Sequence, residues 1–174
     1  MLVDRIKESI PEYAYDIKHN FSKILTKEGA LGLTEREIAA IAIASAMTSP
    51  SQELRAAMEE FAEAYLSAAE INGAKTAHAI MSMTNVYYRF LHVADNMEYQ
   101  SMPSKLRRTA ENKSGIDKKA FELAALGVSA INDCKACIDH HELSLRKMGM
   151  SAEGIQSTVR IAAVINAVGE LIKV

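Results

Sequence analysis

Both cysteines of the chain and two of its five histidines lie in ten consecutive residues, NDCKACIDHH at 132–141. If a helix begins at Cys134, capped by one of the two residues before it, its geometry places Cys134, Cys137 and His141 on one face. The N-terminal end of a helix and a nearby imidazole both stabilise a thiolate, so the pKa of a thiol there falls below its usual ~8.5. Two thiols at this spacing can also close a disulfide. The segment therefore predicts a redox-active dithiol that reacts with peroxides or disulfides.

Glu122 is the second group that the spacing connects to this motif. It lies 11 residues before Asp133 on the preceding predicted helix, and His141 lies 8 residues after Asp133. In an antiparallel helical hairpin the two side chains are then ~16 and ~12 Å from the turn, which makes them nearly level. We expect Glu122 to orient the His141 ring and to relay protons. An exposed carboxylate on a helix surface is the alternative that position alone leaves open.

The cysteine segment also allows other interpretations. The two cysteines could be small buried hydrophobic residues. A zinc site could instead draw its ligands from Cys134, Cys137, His140 and His141. Ligands on two turns of one helix cannot readily surround a tetrahedral ion, and the sequence contains no second cluster of cysteine and histidine, so we predict no metal. The methionines, including those of MSMTN (81–85), are interpreted as core residues.

The elements that must position these groups are predicted to be helices. The chain contains 8 glycines and 3 prolines and has no convincing alternating strand pattern, which indicates an all-α fold. Pro11 is expected to kink or restart the first helix. A T-x-x-E capping box at Thr34 and an S-x-x-Q box with Ser49 as N-cap begin two further helices, and Gly73 separates the second of these from the next. The helices are expected at about 3–24, from Thr34, from Ser49, and at 74–93, 117–131, 134–148 and 152–172.

The predicted helices repeat along a single domain that spans residues 1–174. Shifting the chain by 85 residues places Glu37 on Glu122 and aligns the apolar residues around them. We interpret this as a duplicated helical unit, at approximately 34–92 and 117–173, with chance similarity of alanine-rich helices as the alternative. Where the second copy has its cysteines and histidine, the first has serine, glutamine and alanine. The active motif therefore occurs in the second copy alone.

The composition argues against several classes of protein. With a net charge of −2 and no basic stripe, the chain gives no reason to expect a nucleic-acid partner. The basic segment SKLRR (104–108) is interpreted as a solvated helix face. The N-terminal stretch lacks the apolar core of a signal peptide, and the longest apolar run (38–47) is about half a membrane span. Two cysteines do not form the disulfide framework of a secreted protein, so we expect a soluble, cytoplasmic protein without a membrane partner.

These features together resemble the alkyl hydroperoxide reductase D family of the carboxymuconolactone decarboxylase-like superfamily. The resemblance covers essentially the whole chain and includes its length, the duplicated unit and MTNVYYRF (83–90). Its most specific part is the C-x-x-C-x-x-x-H core with an upstream glutamate in FELAALGVSAINDCKACIDHHELSLRKMGMS (121–151). It implies an all-helical bundle without a bound cofactor, and similar proteins form homotrimers.

The resemblance also implies a reaction and a role for each site residue. Such enzymes reduce organic hydroperoxides and the disulfide of a partner peroxiredoxin, the alkyl hydroperoxide reductase C subunit. Dihydrolipoamide on a lipoylated 2-oxoacid dehydrogenase component recharges their cysteine pair. By motif position, Cys137 is expected to attack the peroxide and to pass through a sulfenic acid. Cys134 is the expected proton donor, resolving thiol and site of the mixed disulfide, and Glu122 and His141 form the expected proton relay.

One position departs from the family pattern. Some members carry a further histidine where this chain has Ala136, and His140 is a candidate for the auxiliary role of that residue. Two other functions remain as alternatives. A carboxymuconolactone decarboxylase-like lyase would use acid–base residues and would not need the cysteines. A non-enzymatic thiol or zinc redox sensor would bind metal or cycle between dithiol and disulfide without turnover.

Overall fold

The computed structural model describes residues 1–172, and within that range it consists of nine α-helices and two 3₁₀ turns without any strand. The all-α prediction is therefore confirmed. The helices are α1 (Leu2–Ser9), α2 (Tyr15–Ile24), α3 (Glu35–Ala46), α4 (Gln52–Glu63), α5 (Ala68–Val93), α6 (Glu98–Ser101), α7 (Lys118–Ile131), α8 (Lys135–Lys147) and α9 (Ala152–Leu171), with 3₁₀ turns at Glu12–Ala14 and Thr109–Lys113. None of the helices in this range is long and apolar enough to span a membrane. Position 173 of the predicted second repeat lies outside the described residues.

Helices α3 and α7 form the centre of the bundle. The predicted capping box begins α3: Thr34 Oγ1 accepts from the Glu37 N–H at 3.3 Å, and Glu37 Oε2 accepts from the Thr34 N–H at 2.8 Å. Every residue of α3 from Glu37 onward is buried, as the apolar run predicts. Helix α7 packs against α3, α5, α8 and α9, so both helices of the predicted active hairpin are held by the core. The duplication of the helical unit stays a prediction.

The prediction for the start of α4 is wrong by two residues. The N-cap is Ser51, whose Oγ accepts from the Leu54 N–H at 3.2 Å, and Gln52 is the first helical residue. Ser49 instead accepts from the Ser51 N–H at 3.2 Å, so it closes the turn before the helix. Both serines are N-cap residue types, and only the hydrogen bonds distinguish them.

Gly73 does not separate two helices, which corrects a second prediction. It lies within α5, which a capping box between Ser67 and Glu70 begins. A Cβ atom at Gly73 would lie 2.6 Å from the carbonyl oxygen of Ser114 and 2.7 Å from Cβ of Ile116. The glycine therefore permits the segment that leads into α7 to cross directly over α5, and it is explained by packing rather than by a helix end.

Candidate active site

The turn between α7 and α8 carries the cysteines and has the hydrogen bonds of a Schellman motif. The Cys134 N–H donates to the Ser129 carbonyl at 3.1 Å, and the Asp133 N–H donates to the Ala130 carbonyl at 3.3 Å. Asp133 has a φ of 52°, so an aspartate occupies the left-handed position that glycine most often takes. Cys134 is the N-cap of α8, and Lys135 is its first residue. The expectation that the helix begins at Cys134 is corrected accordingly.

Side chains from α5 hold this turn in place. Asn85 is buried, and its Nδ2 donates to Ser129 Oγ at 3.0 Å while its Oδ1 accepts from Asn132 Nδ2 at 3.0 Å. Arg89 Nη1 donates to the backbone carbonyl of Asn132 at 2.9 Å. Hydrogen bonds between buried side chains fix their partners closely because each unmet group is costly. The position of the cysteines therefore depends on α5 as well as on their own helices.

Cys134 and Cys137 form a disulfide, with their Cα atoms 5.3 Å apart. Cys134 is completely buried, whereas Cys137 is 6% exposed and lines a cavity. The sulfur of Cys137 is thus the one that an entering molecule meets first. The mixed disulfide that the resemblance assigns to Cys134 would require the turn to open, because a partner thiol must reach the sulfur to attack it.

His141 and Glu122 meet as a buried pair between α8 and α7. His141 Nδ1 lies 2.7 Å from Glu122 Oε2, and both residues are buried. Burial raises the pKa of Glu122. The hydrogen bond and the charge of His141, with smaller effects of His140 and Lys118, lower the pKa by more than burial raises it. The pKa of Glu122 therefore lies below its ordinary value, and the ionised carboxylate accepts a hydrogen bond from His141 Nδ1. The sequence correctly predicts that these two residues are level.

The other nitrogen of His141 contacts a residue that the sequence analysis did not assign to the site. His141 Nε2 lies 3.2 Å from the sulfur of Met81 on α5. Thr84 Oγ1 and Asn85 Nδ2 approach the same sulfur at 3.7 and 3.9 Å. Met81 is buried, so its interpretation as a core residue is confirmed. Its sulfur also contacts the His141 ring and helps to fix the position of that ring. A polar Thr–Asn pair one turn after Met81 on the buried face of a helix is the signal that could have found it.

Two cavities adjoin the His141–Glu122 pair. The smaller, of about 280 Å³, is lined by Cys137, and the larger, of about 540 Å³, is lined by Glu122. Arg108, His140 and His141 belong to both walls. The rest of the smaller cavity is lined by Met81, Thr84, Tyr88, Ala136 and Cys137. Its walls are largely apolar, so it suits an organic molecule with a reactive group presented to Cys137.

Arg108 corrects the interpretation of the basic segment. Residues 102–108 contain no helix, so they are not a solvated helix face. Arg108 precedes the 3₁₀ turn and lines both cavities. In the sequence it is indistinguishable from Arg107, which is exposed and donates to Thr109 Oγ1 at 2.9 Å.

The groups that could bind a metal differ from those that the sequence analysis considered. Ligand atoms of Glu122, His140 and His141 all lie within 4.8 Å of one another. The two sulfurs of the considered zinc site are joined to each other, so neither is a thiolate ligand in this state. His141 already contacts Glu122 and Met81, and a metal ion would have to displace at least one of them.

Known proteins of similar sequence cover nearly the whole chain. A sequence model of the carboxymuconolactone decarboxylase family matches residues 98–174, which include the whole cysteine segment. A protein of Bradyrhizobium sp. (strain BTAi1) named alkyl hydroperoxide reductase AhpD is 44% identical over 99% of this chain and 94% of its own length. The Maricaulis maris protein of the same name is 44% identical over 99% and 98% of the two chains. That of Coxiella burnetii (strain Dugway 5J108-111) is 39% identical over 98% and 96%.

Proposed function

Because the chain belongs to the AhpD family of alkyl hydroperoxide reductases, we propose that it is an antioxidant dithiol peroxidase that reduces organic hydroperoxides. One observation carries the proposal: Cys137 lines a largely apolar cavity whose wall also contains His141, which is bonded to Glu122. The cavity can hold an organic stem, the sulfur can attack a peroxide, and the buried pair can move a proton. Each of these is a separate requirement of the reaction, and they meet at one place.

The first step joins an oxygen atom to sulfur. In the reduced enzyme the Cys137 thiolate attacks the terminal oxygen of the hydroperoxide, so the S–O bond forms as the O–O bond breaks. The sulfur is oxidised to a sulfenic acid, and the released alkoxide takes a proton to leave as an alcohol. Cys134 supplies that proton in this scheme and is left as the thiolate that acts in the second step. His141, paired with Glu122, takes the proton that Cys137 loses on ionisation and gives it to the hydroxide released in that second step. The lowered pKa of Glu122 keeps its carboxylate ionised, so it can accept a hydrogen bond from the imidazole.

The second step closes the disulfide. The Cys134 thiolate attacks the sulfenic sulfur of Cys137, and hydroxide leaves as water after it takes a proton. Their Cα separation of 5.3 Å lies within the range of ordinary disulfides, so α8 needs no unfolding to form the bond. The enzyme is then oxidised and must accept two electrons before the next turnover.

We place two protein partners in the redox cycle. A dihydrolipoyl group on a 2-oxoacid dehydrogenase component is the proposed donor, since a small dithiol on a flexible arm can reach a recessed sulfur. A peroxiredoxin is the proposed acceptor when the dithiol reduces a protein disulfide instead of a peroxide. The exposure of Cys137 and the burial of Cys134 favour Cys137 as the first sulfur that an external thiol attacks. A cycle that depends on such donors belongs in the cytoplasm, where thiols are kept reduced.

An apolar row on the surface supports the proposed homotrimer. Val86, Phe90 and Val93 lie on one side of α5 and are 50–71% exposed, and Met97 and Met102, which follow α5 in the chain, are exposed as well. Exposed apolar residues grouped in this way are typical of interfaces. Sedimentation of the wild type should give a trimer, and Val93→Glu should shift it toward the monomer. A monomeric wild type would contradict the assignment.

The peroxidase function is tested by the consumption of cumene hydroperoxide with dihydrolipoamide as donor. Cys137→Ser and Cys134→Ser should each abolish turnover, because neither variant can complete the disulfide cycle. Lys147→Gln, an exposed change at the far end of α8, is the matched control and should behave as the wild type. Retained turnover in Cys137→Ser would reject the proposal.

A ring-lactone decarboxylase is the second candidate, because the family model that matches residues 98–174 carries the name of that activity. The His141–Glu122 pair could serve such acid–base chemistry, and the cysteines would then be dispensable. The same two cysteine variants distinguish the candidates, since a lyase would retain its activity on a muconolactone. Stoichiometric zinc in the purified protein would instead favour the sensor.

A further inference from the structure

Resting on the proposed peroxidase function, we propose that Arg108 binds a carboxylate on the substrate, so that the preferred hydroperoxides are small, acidic ones. The reactive group lies at Cys137 and the acid group at the arginine, with an apolar stem between them. This names a substrate class for the cavity and a residue that selects it.

Arg108 has an unused hydrogen-bond donor at the cavity. Its Nη2 donates to Glu111 Oε2 at 3.0 Å, but its Nε is buried and has no hydrogen-bond partner within residues 1–172. A buried donor without an acceptor is unfavourable, and a carboxylate is the acceptor that a guanidinium binds most strongly. Because Nε is enclosed, a carboxylate in the cavity reaches it only when the Arg108 side chain turns, and the donor that the free protein leaves unmet favours that change.

The other polar atoms around the smaller cavity are mostly engaged. Thr84 Oγ1 donates to the Ile80 carbonyl at 3.0 Å, and the two nitrogens of His141 contact Glu122 and Met81. Arg108 is therefore the cation in this cavity wall that has donors beyond its bond to Glu111 with which to orient a ligand. Few polar groups in an apolar pocket are what fixes the orientation of a small molecule.

The charges beyond Arg108 point the same way. Lys113 and Lys118 line the larger cavity on the far side of the arginine, and the carboxylate of Glu122 there is bonded to His141. Glu111 is the remaining acid, and its charge is paired with Arg108 itself. The wall of the larger cavity is thus locally positive, although the whole chain has a net charge of −2. A lipoyl group joined to a protein through an amide has no carboxylate, so this feature distinguishes an acidic peroxide from that donor.

Binding is measured first, with molecules that cannot react. Calorimetric titration should give tighter binding of 4-isopropylbenzoate than of the neutral 4-isopropylbenzamide. Arg108→Gln should weaken the benzoate by about tenfold and leave the amide unchanged, as expected for one charge-assisted hydrogen bond. Arg107→Gln removes the same charge one residue away, outside both cavity walls, and should have little effect. Glu111→Gln should tighten the benzoate, because it removes the carboxylate that competes for Arg108.

Measurements of turnover then show whether the carboxylate that Arg108 binds belongs to the hydroperoxide or to the dithiol donor. Wild-type kcat/KM should be higher for 4-carboxycumene hydroperoxide than for cumene hydroperoxide, and Arg108→Gln should remove that preference alone. A parallel comparison of dihydrolipoate with dihydrolipoamide tests the donor; if the preference lies there, the carboxylate site stands and the reductant is its ligand. Equal weakening of benzoate and amide in Arg108→Gln, or no weakening, would overturn the proposal. Failure of the wild type to reduce cumene hydroperoxide would reject the peroxidase function, while the calorimetry would still decide carboxylate binding.

Discussion

Replacing Glu122 with glutamine should destabilise the oxidised protein by about 1–2 kcal/mol at neutral pH. Glu122 Oε2 lies 2.7 Å from His141 Nδ1, and both side chains are buried. A buried hydrogen bond to a charged group contributes about 2–3 kcal/mol, the upper part of the usual range, whereas the neutral bond that glutamine can still accept contributes about 1 kcal/mol. The difference is the expected loss, since Glu122→Gln keeps the shape of the side chain and removes its charge.

The loss should depend on pH in a definite direction. The folded protein holds the pKa of Glu122 below its ordinary value of 4.5, since the hydrogen bond and charge of His141 outweigh the burial that raises it. A carboxyl group with a lowered pKa stabilises the fold fully above its unfolded-state pKa, and the contribution disappears as the pH falls through the folded-state value. The difference between wild type and Glu122→Gln should therefore be largest above about pH 5 and should shrink in acid.

Urea unfolding of both oxidised proteins at about pH 7 and about pH 3.5 measures this difference. With a slope of about 2 kcal/mol/M, the midpoint of Glu122→Gln should fall by roughly 0.5–1 M at the higher pH and by much less at the lower. Glu142→Gln, which removes a half-buried carboxylate beside His141 on α8, should move the midpoint little at either pH. Equal destabilisation of Glu122→Gln at both pH values would show that shape rather than charge explains the residue, and the relay argument would fail.

Three further predictions concern the turn and its sulfurs. In the reduced protein, iodoacetamide should label Cys134→Ser, which retains the cavity-lining Cys137, faster than Cys137→Ser, which retains the fully buried Cys134; equal rates would contradict the difference in access. Asn85→Ala removes two buried hydrogen bonds and should lower the unfolding free energy by about 2–3 kcal/mol, with a change near zero indicating that the turn is held by other contacts. Asp133→Val should cost about 1–2 kcal/mol because a β-branched residue resists the left-handed conformation, whereas Asp133→Gly should be close to neutral; similar denaturation midpoints for both would be inconsistent with the φ of 52°.

The predictions that local sequence supports are the ones that agree best with the structure. The capping box at Thr34 acts within four residues, and it is confirmed. Counting residues along two helices from a shared turn was enough to predict that Glu122 and His141 are level. Helix geometry transmits such spacing over two or three turns with little error.

Apart from the start of α4, which local hydrogen bonds decide, most of what the sequence does not reveal depends on contacts distant in sequence. Gly73 is explained by a backbone segment 41 residues away, and the role of Met81 depends on a histidine 60 residues away. Arg108 and Arg107 are neighbours of the same type, and only the path of the loop decides which one enters the cavity wall. Propensity and periodicity carry no information about such pairings, because they describe each segment separately.

The placement of the His141–Glu122 pair beside two cavities has a consequence for the order of events in a catalytic cycle. A hydroperoxide that fills the smaller cavity lies beside Cys137 and His141, and it leaves Glu122 open to the larger cavity. Water can therefore exchange protons with the carboxylate while the organic molecule is still in place. A bound hydroperoxide and the water that exchanges protons with Glu122 would then occupy different cavities, which share Arg108, His140 and His141 in their walls.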